Sequence, residues 1–181
     1  MSTGTLHLLC GKAASGKSCL ARELAQAPGT VMLAEEQWLA ELFPWGISSP
    51  DDYQLYARRV RKVMGPHVVG LLRAGTSVVL DIPANTLADR RWLIDLAQQA
   101  GAAHCLHFLD VDPATCRSRL LARHAIAPLA APLDPAGYEA LNRYFVAPRP
   151  EENCRCSAMA AERVESPPRS AESACVERPE A

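Results

Sequence analysis

Lysine is scarce in this chain: Lys12, Lys17 and Lys62 are its only examples in 181 residues. Lysine and arginine together number 19 against 20 acidic residues, for a formal net charge of −1. No field of one sign results, so composition argues against a nucleic-acid binder or an anionic-membrane binder that works by bulk charge. Aromatic residues are also few, at 6%. No basic patch interleaves with Trp38, Trp45 and Trp92, which points them to the core or to a substrate wall rather than to a base-stacking platform. No apolar run approaches the roughly 18 residues of a membrane span. The N-terminus has no basic stretch followed by a long apolar one and a cleavage site, so the chain reads as cytoplasmic. A disulfide framework is missing too. The seven cysteines are odd in number, and Cys10, Cys19, Cys105 and Cys116 fall within periodic apolar segments, as reduced thiols do. Cys154 and Cys156 are followed by no second cysteine or histidine pair, which argues against zinc there. His7, His67, His104, His107 and His124 show no ligand spacing and read as structural or surface residues.

What is present suits one domain with one good core: 49% hydrophobic and 22% charged residues. Thr5 to Cys10 is a short apolar run of strand formers, and SCLARELAQ, from Ser18 to Gln26, carries Leu20, Leu24 and Ala25 at helical spacing. Val31 to Leu33 makes a second strand, followed by a helix bearing Trp38, Leu39, Leu42 and Phe43. Ser49-Pro50-Asp51-Asp52 is a helix start, with a capping hydroxyl, proline in the first turn and carboxylates at the positive end of the dipole. The helix runs through Tyr56, Val60, Val63, Met64, His67, Val68, Leu71 and Leu72 to a stop at Gly75. Thr76 to Leu80 is apolar on nearly every residue, as a strand covered on both faces should be, and it ends in Asp81. Thr86 to Asp89 fits a capping box before a helix with Trp92, Leu93, Leu96 and Ala97. Ala103 to Leu109 is the fourth strand. Asp112-Pro113 and Asp134-Pro135 each open a helix, the first carrying Cys116, Leu120 and Leu121, the second Tyr138, Leu141 and Phe145.

Strands alternate with helices, which predicts an α/β fold: a three-layer αβα sandwich around a mainly parallel sheet of four to five strands. Residues 1–148 form the expected domain. Residues 149–181 lack a sustained apolar period, are rich in Pro, Ser, Glu and Arg, and are expected to be a disordered or aberrant tail. Ligands of such sheets sit at the carboxyl ends of the strands.

GKAASGKS, Gly11 to Ser18, matches G-x-x-x-x-G-K-[ST], directly after a strand and opening a helix. Glycines there permit a backbone path that turns successive N–H groups inward around phosphate oxygens, with the helix N-terminus behind them. The predicted P-loop nest comprises Gly11, Lys12, Ala13, Ala14, Ser15, Gly16, Lys17, Ser18 and Cys19. Lys17 would reach the β- and γ-phosphates, and the Ser18 hydroxyl would hold Mg²⁺. The Asn-Lys-x-Asp signature of guanine selection is absent, so ATP is the default nucleotide.

Other polar residues fall at the same edge. Glu35 and Glu36 follow the second strand, where a carboxylate can take a proton from a substrate hydroxyl; both also suit the start of the next helix, and Glu36 is preferred as the base. Asp81 could hold Mg²⁺ through water or orient the acceptor, with Asn85 near it. Arg119 and Arg123 are one turn apart and can stabilise charge on a transferring phosphoryl group, whereas Arg117 reads as solvated. They lead into HAIAPLAAPL, a proline-punctuated stretch able to act as a flap.

Together GKAASGKS, VVLDIPANT with Arg90-Arg91, and LDVDPATCRSRLLAR resemble the P-loop kinase-like proteins often labelled AAA-family ATPase, in a branch similar to the zeta-toxin, chloramphenicol phosphotransferase and polynucleotide kinase groups. The resemblance covers about Thr5 to Pro148. It implies a five-stranded parallel sheet and phosphoryl transfer from ATP to a hydroxyl, with Asp81 and Asn85 near the acceptor and Arg119 and Arg123 in the lid. Two departures stand out. Such proteins usually carry Ser-x-Asp after the second strand, where this chain has Ala34-Glu35-Glu36, and the pattern would continue past Pro148 into a closing apolar strand that this sequence does not display.

The leading expectation is an ATP-dependent kinase acting on a small-molecule hydroxyl, with no membrane partner. An ATP-binding switch or weak ATPase working through a protein partner is the alternative. A polynucleotide 5′-hydroxyl kinase ranks third, because the near-neutral charge disfavours nucleic acid.

Overall fold

The computed structural model describes residues 3–126, 138–139, 142–149, 152 and 156–159. The elements run β1 (Thr5–Gly11), α1 (Lys17–Leu24), β2 (Thr30–Ala34), α2 (Glu35–Leu42), α3 (Pro50–Arg73), β3 (Ser77–Pro83), α4 (Leu87–Ala100), β4 (Ala103–Leu109), α5 (Pro113–Ile126) and β5 (Cys156–Met159). The five strands form one sheet in the order β2-β3-β1-β4-β5, and every pairing is parallel. Parallel neighbours need crossover connections, which the helices supply, and these bury the sheet on both faces.

Two apolar clusters fill the gaps between the layers. On one face Leu6, Leu8 and Cys10 of β1 and Val78, Leu80 and Ile82 of β3 meet Val60, Met64, Val68 and Leu72 of α3 and Leu93 and Leu96 of α4. On the other, Leu9, Val79 and Leu109 meet Leu20 and Ala21 of α1 and Cys116 and Leu120 of α5. Odd and even strand residues therefore part cleanly between layers. The α3 stripe is a run of i, i+4 positions, so Val63, which its spacing also admits, lies off the stripe and is exposed, as is Leu121 on α5. Trp38 and Trp92 pack against the core, but Trp45 is 95% exposed.

Helix starts take the expected chemistry. Ser49 Oγ accepts from Asp52 N, and Thr86 and Asp89 form a reciprocal capping box. Gly101 closes α4 in the left-handed region at φ 64°, where a side chain would be strained.

Three expectations are revised. First, β3 does not stop at Asp81 but continues to Pro83, after a register shift between Leu8 and Leu9 where β1 and β3 pair. Second, a closing strand is present: Leu106 to Leu109 pair with Cys156 to Met159, beyond the boundary expected at Pro148. Cys-Ser-Ala-Met has neither alternation nor β-branched residues; pairing with the open edge of β4 outweighs its weak intrinsic preference. Third, Tyr138 and Glu139 are helical, but Phe145 is not. The expected helix start at Asp134-Pro135, the part of the HAIAPLAAPL flap beyond Ile126 (127–133) and the tail over 160–181 lie outside the described residues.

Candidate nucleotide-binding site

Strand order reverses direction at β1, with β3 on one side and β4 on the other. A crevice opens outside the carboxyl ends of strands at such a switch point. The loop from Gly11 to Gly16 leaves β1 there and enters α1. Its path depends on left-handed backbone at Ala14 (φ 59°) and Gly16 (φ 104°). Gly11 is fixed by space: a Cβ there would stand 2.9 Å from the Leu109 carbonyl oxygen.

The electrostatics of α1 set it apart. Its N-cap is Gly16, with no side-chain cap and no acidic residue in the first turn. The other four described helices each have a side-chain cap or first-turn carboxylates: Glu35 and Glu36 on α2, Ser49 on α3, Thr86 on α4, and Asp112, which accepts from Thr115 N, on α5. The positive dipole end of α1 therefore faces the crevice with no side-chain cap and no first-turn carboxylate. Lys17 adds a full charge, its Nζ folded back on the carbonyls of Gly11 and Lys12 at 2.8 Å each. Burial pulls this ammonium below the ordinary lysine value, while the charges of Asp81 and Glu36 act on it in the opposite sense. Cys10, behind the loop, has its thiol pushed up to about 11 by burial and stays protonated.

Side chains from distant parts of the chain fasten the loop. Asn85 Oδ1 accepts from Gly11 N at 3.0 Å, and Asn142 Oδ1 accepts from Ala13 N at 2.9 Å. Asn142 in turn donates through Nδ2 to the Tyr138 carbonyl, and the Lys12 ammonium lies over the Phe145 ring, 5.6 Å from its centroid. Asn85, placed by sequence near an acceptor, thus holds the start of the loop. Asn142 carried no signal in the sequence, because its partner is 129 residues away.

Glu35 and Glu36, adjacent in sequence, part company in space. Glu35 is 1% exposed. It pairs with Arg61 through both carboxylate oxygens, accepts from the Tyr53 hydroxyl at 3.3 Å, and shares Arg61 with Asp89 at 3.0 Å. Burial works against the Arg61 charge, but the two carboxylates outweigh it and hold the guanidinium above its ordinary value. Glu35 is a structural anchor between α2, α3 and α4. Glu36 is exposed in the first turn of α2, within electrostatic reach of Lys17. Arg61→Met should lower the stability to unfolding by about 2 kcal/mol, because it strands a desolvated carboxylate while part of the guanidinium's own exposure tempers the loss. The denaturant midpoint measures this.

Asp81 is half-buried at the register position opposite Ala34, one strand away from the loop. Arg119 is half-buried on α5, and its Nη1 has no hydrogen-bond partner among the described residues although solvent does not reach it. It lies one turn after Cys116, on whose thiol it and Lys12 both act. Arg123 is exposed near the end of that helix. Ser18 and Cys19 are exposed on the first turn of α1. Ser15 Oγ, within the loop, is buried and, like Arg119 Nη1, unpartnered among the described residues. Such orphaned groups are uncommon in a closed interior and suit a site that receives a polar ligand.

Known proteins share this fold. No curated protein sequence matches the chain. Among solved structures, the chain is similar to a protein of Chloroflexus aurantiacus j-10-fl assigned as a kinase, at a TM-score of 0.72 and 18% identity over 88% of this chain and 86% of that one. It is similar also to the Mycobacterium tuberculosis APS kinase CysC in complex with AMPPNP and APS (TM-score 0.59, 17% identity, 90% and 91% covered). A gluconokinase of Sinorhizobium meliloti 1021 shares the fold as well (TM-score 0.53, 16% identity, 91% and 84% covered). At these identities the likeness is one of fold. A family model described as AAA domain matches residues 6–148, a span that takes in the glycine loop, Asp81 and α5. The chain belongs to that AAA domain family, with the α/β fold of the P-loop kinases.

Proposed function

We propose that this protein is a phosphotransferase that moves the γ-phosphoryl group of ATP onto a hydroxyl of a small-molecule acceptor. The observation that carries the reading is the N-terminus of α1: uncapped, free of acidic residues and reached through a glycine loop with Lys17 folded across it. An anionic ligand suits that concentration of N–H dipoles and charge. The kinase fold shared with the APS kinase and the gluconokinase supports the reaction class.

The N–H groups around Gly16, Lys17, Ser18 and Cys19 bind the β- and γ-phosphates, and Lys17 exchanges two carbonyls for phosphate oxygens. The residues present fit Mg²⁺: the Ser18 hydroxyl and the Asp81 carboxylate would hold it, and the ion would neutralise charge on phosphate oxygens. Glu36 accepts the proton of the attacking hydroxyl. The new bond joins that oxygen to the γ-phosphorus, the bond from phosphorus to the β–γ bridging oxygen breaks, and ADP leaves. Arg119, which has a guanidinium N–H to offer, steadies charge on the transferring group, with Arg123 a turn further along. Glu35 is bound to Arg61 and takes no part in the chemistry.

Calorimetry with AMPPNP and Mg²⁺ tests the first step. One molecule bound per chain is the expected result, and no heat from a folded sample overturns the proposal. A screen of sugars, nucleosides and other hydroxyl compounds with γ-labelled ATP tests the second; label recovered only as inorganic phosphate argues against transfer.

A further inference from the structure

The sequence spacing of the histidines suggested no ligand set, but sheet register assembles one. β1 and β4 pair with His7 opposite Cys105 and Leu9 opposite His107. Alternation then puts His7, Cys105 and His107 on one face of the sheet, toward the amino ends of the strands relative to the glycine loop. His7 Nδ1 lies 3.0 Å from His107 Nε2, with the rings stacked at 5.3 Å between centroids. A ligating atom from each of the three residues lies within 4.8 Å of the other two. We propose that His7, Cys105 and His107 form a binding site for Zn²⁺ that bridges the two central strands, separate from the nucleotide site.

Geometry favours this over an incidental polar contact. Two imidazole nitrogens sharing a tetrahedral zinc ion at about 2.0–2.1 Å stand roughly 3.3 Å apart, close to the distance found here, and the thiolate needs about 2.3 Å. Two rigid strands hold the donors, so little ordering remains when an ion arrives. Their neighbours on this face, Leu9, Val79 and Leu109, are aliphatic and 0–3% exposed. Aliphatic side chains at these three positions would pack there at less desolvation cost than the polar ones present, so packing does not account for them. Access exists: His7 and Cys105 are only half-buried, and Cys105 is a free thiol. The N₂S donor set combines imidazole with thiolate, the combination that suits zinc and excludes Mg²⁺. Three protein donors leave a fourth position for water. Binding is proton-balanced: the Cys105 thiol proton goes to solvent, and whichever imidazole donates in the His7–His107 contact moves its proton to its other ring nitrogen.

The test uses the full chain, stripped with chelator and titrated with Zn²⁺ against a chromophoric competitor, and with Co²⁺ as a spectroscopic substitute. One ion per chain is expected, with a thiolate-to-cobalt charge-transfer band. Cys105→Ser should remove that band and weaken Zn²⁺ binding at least about tenfold, while Cys105→His retains Zn²⁺ without the band. Cys19→Ser, Cys154→Ser and Cys156→Ser should change neither. Wild-type protein supplies an independent reading that requires no variant to fold: Zn²⁺, and not Mg²⁺, should slow alkylation of Cys105 as followed by peptide mass spectrometry. Absence of the band, or alkylation of Cys105 at the same rate with and without Zn²⁺, overturns the proposal. So does loss of binding on changing Cys154 or Cys156 with Cys105 intact.

Discussion

Lys17→Ala is expected to reduce ATP turnover by about 10²–10³-fold while leaving the protein folded. The ammonium rests on Gly11 O and Lys12 O, both in the loop itself. Deleting it removes two hydrogen bonds that water at the crevice can replace, so the stability change should stay near 1 kcal/mol. Its functional role is different in kind. Burial has already taken much of the water from this ammonium, so contact with a phosphate oxygen adds attraction in a medium of low polarity at little further desolvation cost. Lys17→Arg should also be impaired. A planar fork sized for two acceptors does not fit a nest that has room for a compact charge, and equal activity from the arginine variant would indicate that charge alone suffices. Turnover of γ-labelled ATP, read beside the thermal midpoint of each variant, separates these outcomes. Unchanged turnover in Lys17→Ala would remove the site.

Much of this architecture was legible because its causes are local. The glycine loop announces itself in eight consecutive residues, and Ser49 and Thr86 cap helices through bonds to residues three positions away. Alternation of strand and helix then implies the parallel sheet. What escaped reading depends on contacts distant in sequence. Glu35 and Glu36 are the same residue type side by side, and only the approach of Arg61, 26 residues on, buries one and leaves the other open. His7 and His107 are 100 residues apart, and a shift of β4 by one residue would turn Cys105 and His107 to the opposite face. β5 was invisible because its small residues have no periodic signal; the open edge of β4 selects it. That selection needs help, since four residues of weak preference do not dock by themselves.

Arg90→Met is expected to lower stability by about 3–5 kcal/mol, the largest loss among the residues considered, because Arg90 supplies that help. It is 0% exposed, in the first turns of α4. Its guanidinium donates to the Ala84 carbonyl at 3.0 Å, to the Val146 carbonyl at 2.9 Å, and to both oxygens of Glu152. Hydrogen bonding from Arg90 holds the Glu152 carboxyl below the ordinary glutamate value. One side chain thus joins α4 to the turn after β3 and to the segment that leads into β5. Val146 N also donates to the Asn85 carbonyl, and Asn85 holds Gly11, so the same fastening extends to the glycine loop. Methionine approximates the volume but removes a donor from the buried Ala84 carbonyl, from the Val146 carbonyl and from the Glu152 carboxylate, which keeps the N–H of Arg149. Glu152→Gln, which keeps acceptor and shape but loses the charge, should cost no more than about 1–2 kcal/mol. Hydrogen exchange should then show β4 losing protection along the edge that faces β5 in Arg90→Met, while α3 keeps it. An unfolding midpoint for Arg90→Met within about 1 kcal/mol of the parent would mean that β5 docks without this arginine, and that the loop is held by Asn85 and Asn142 alone.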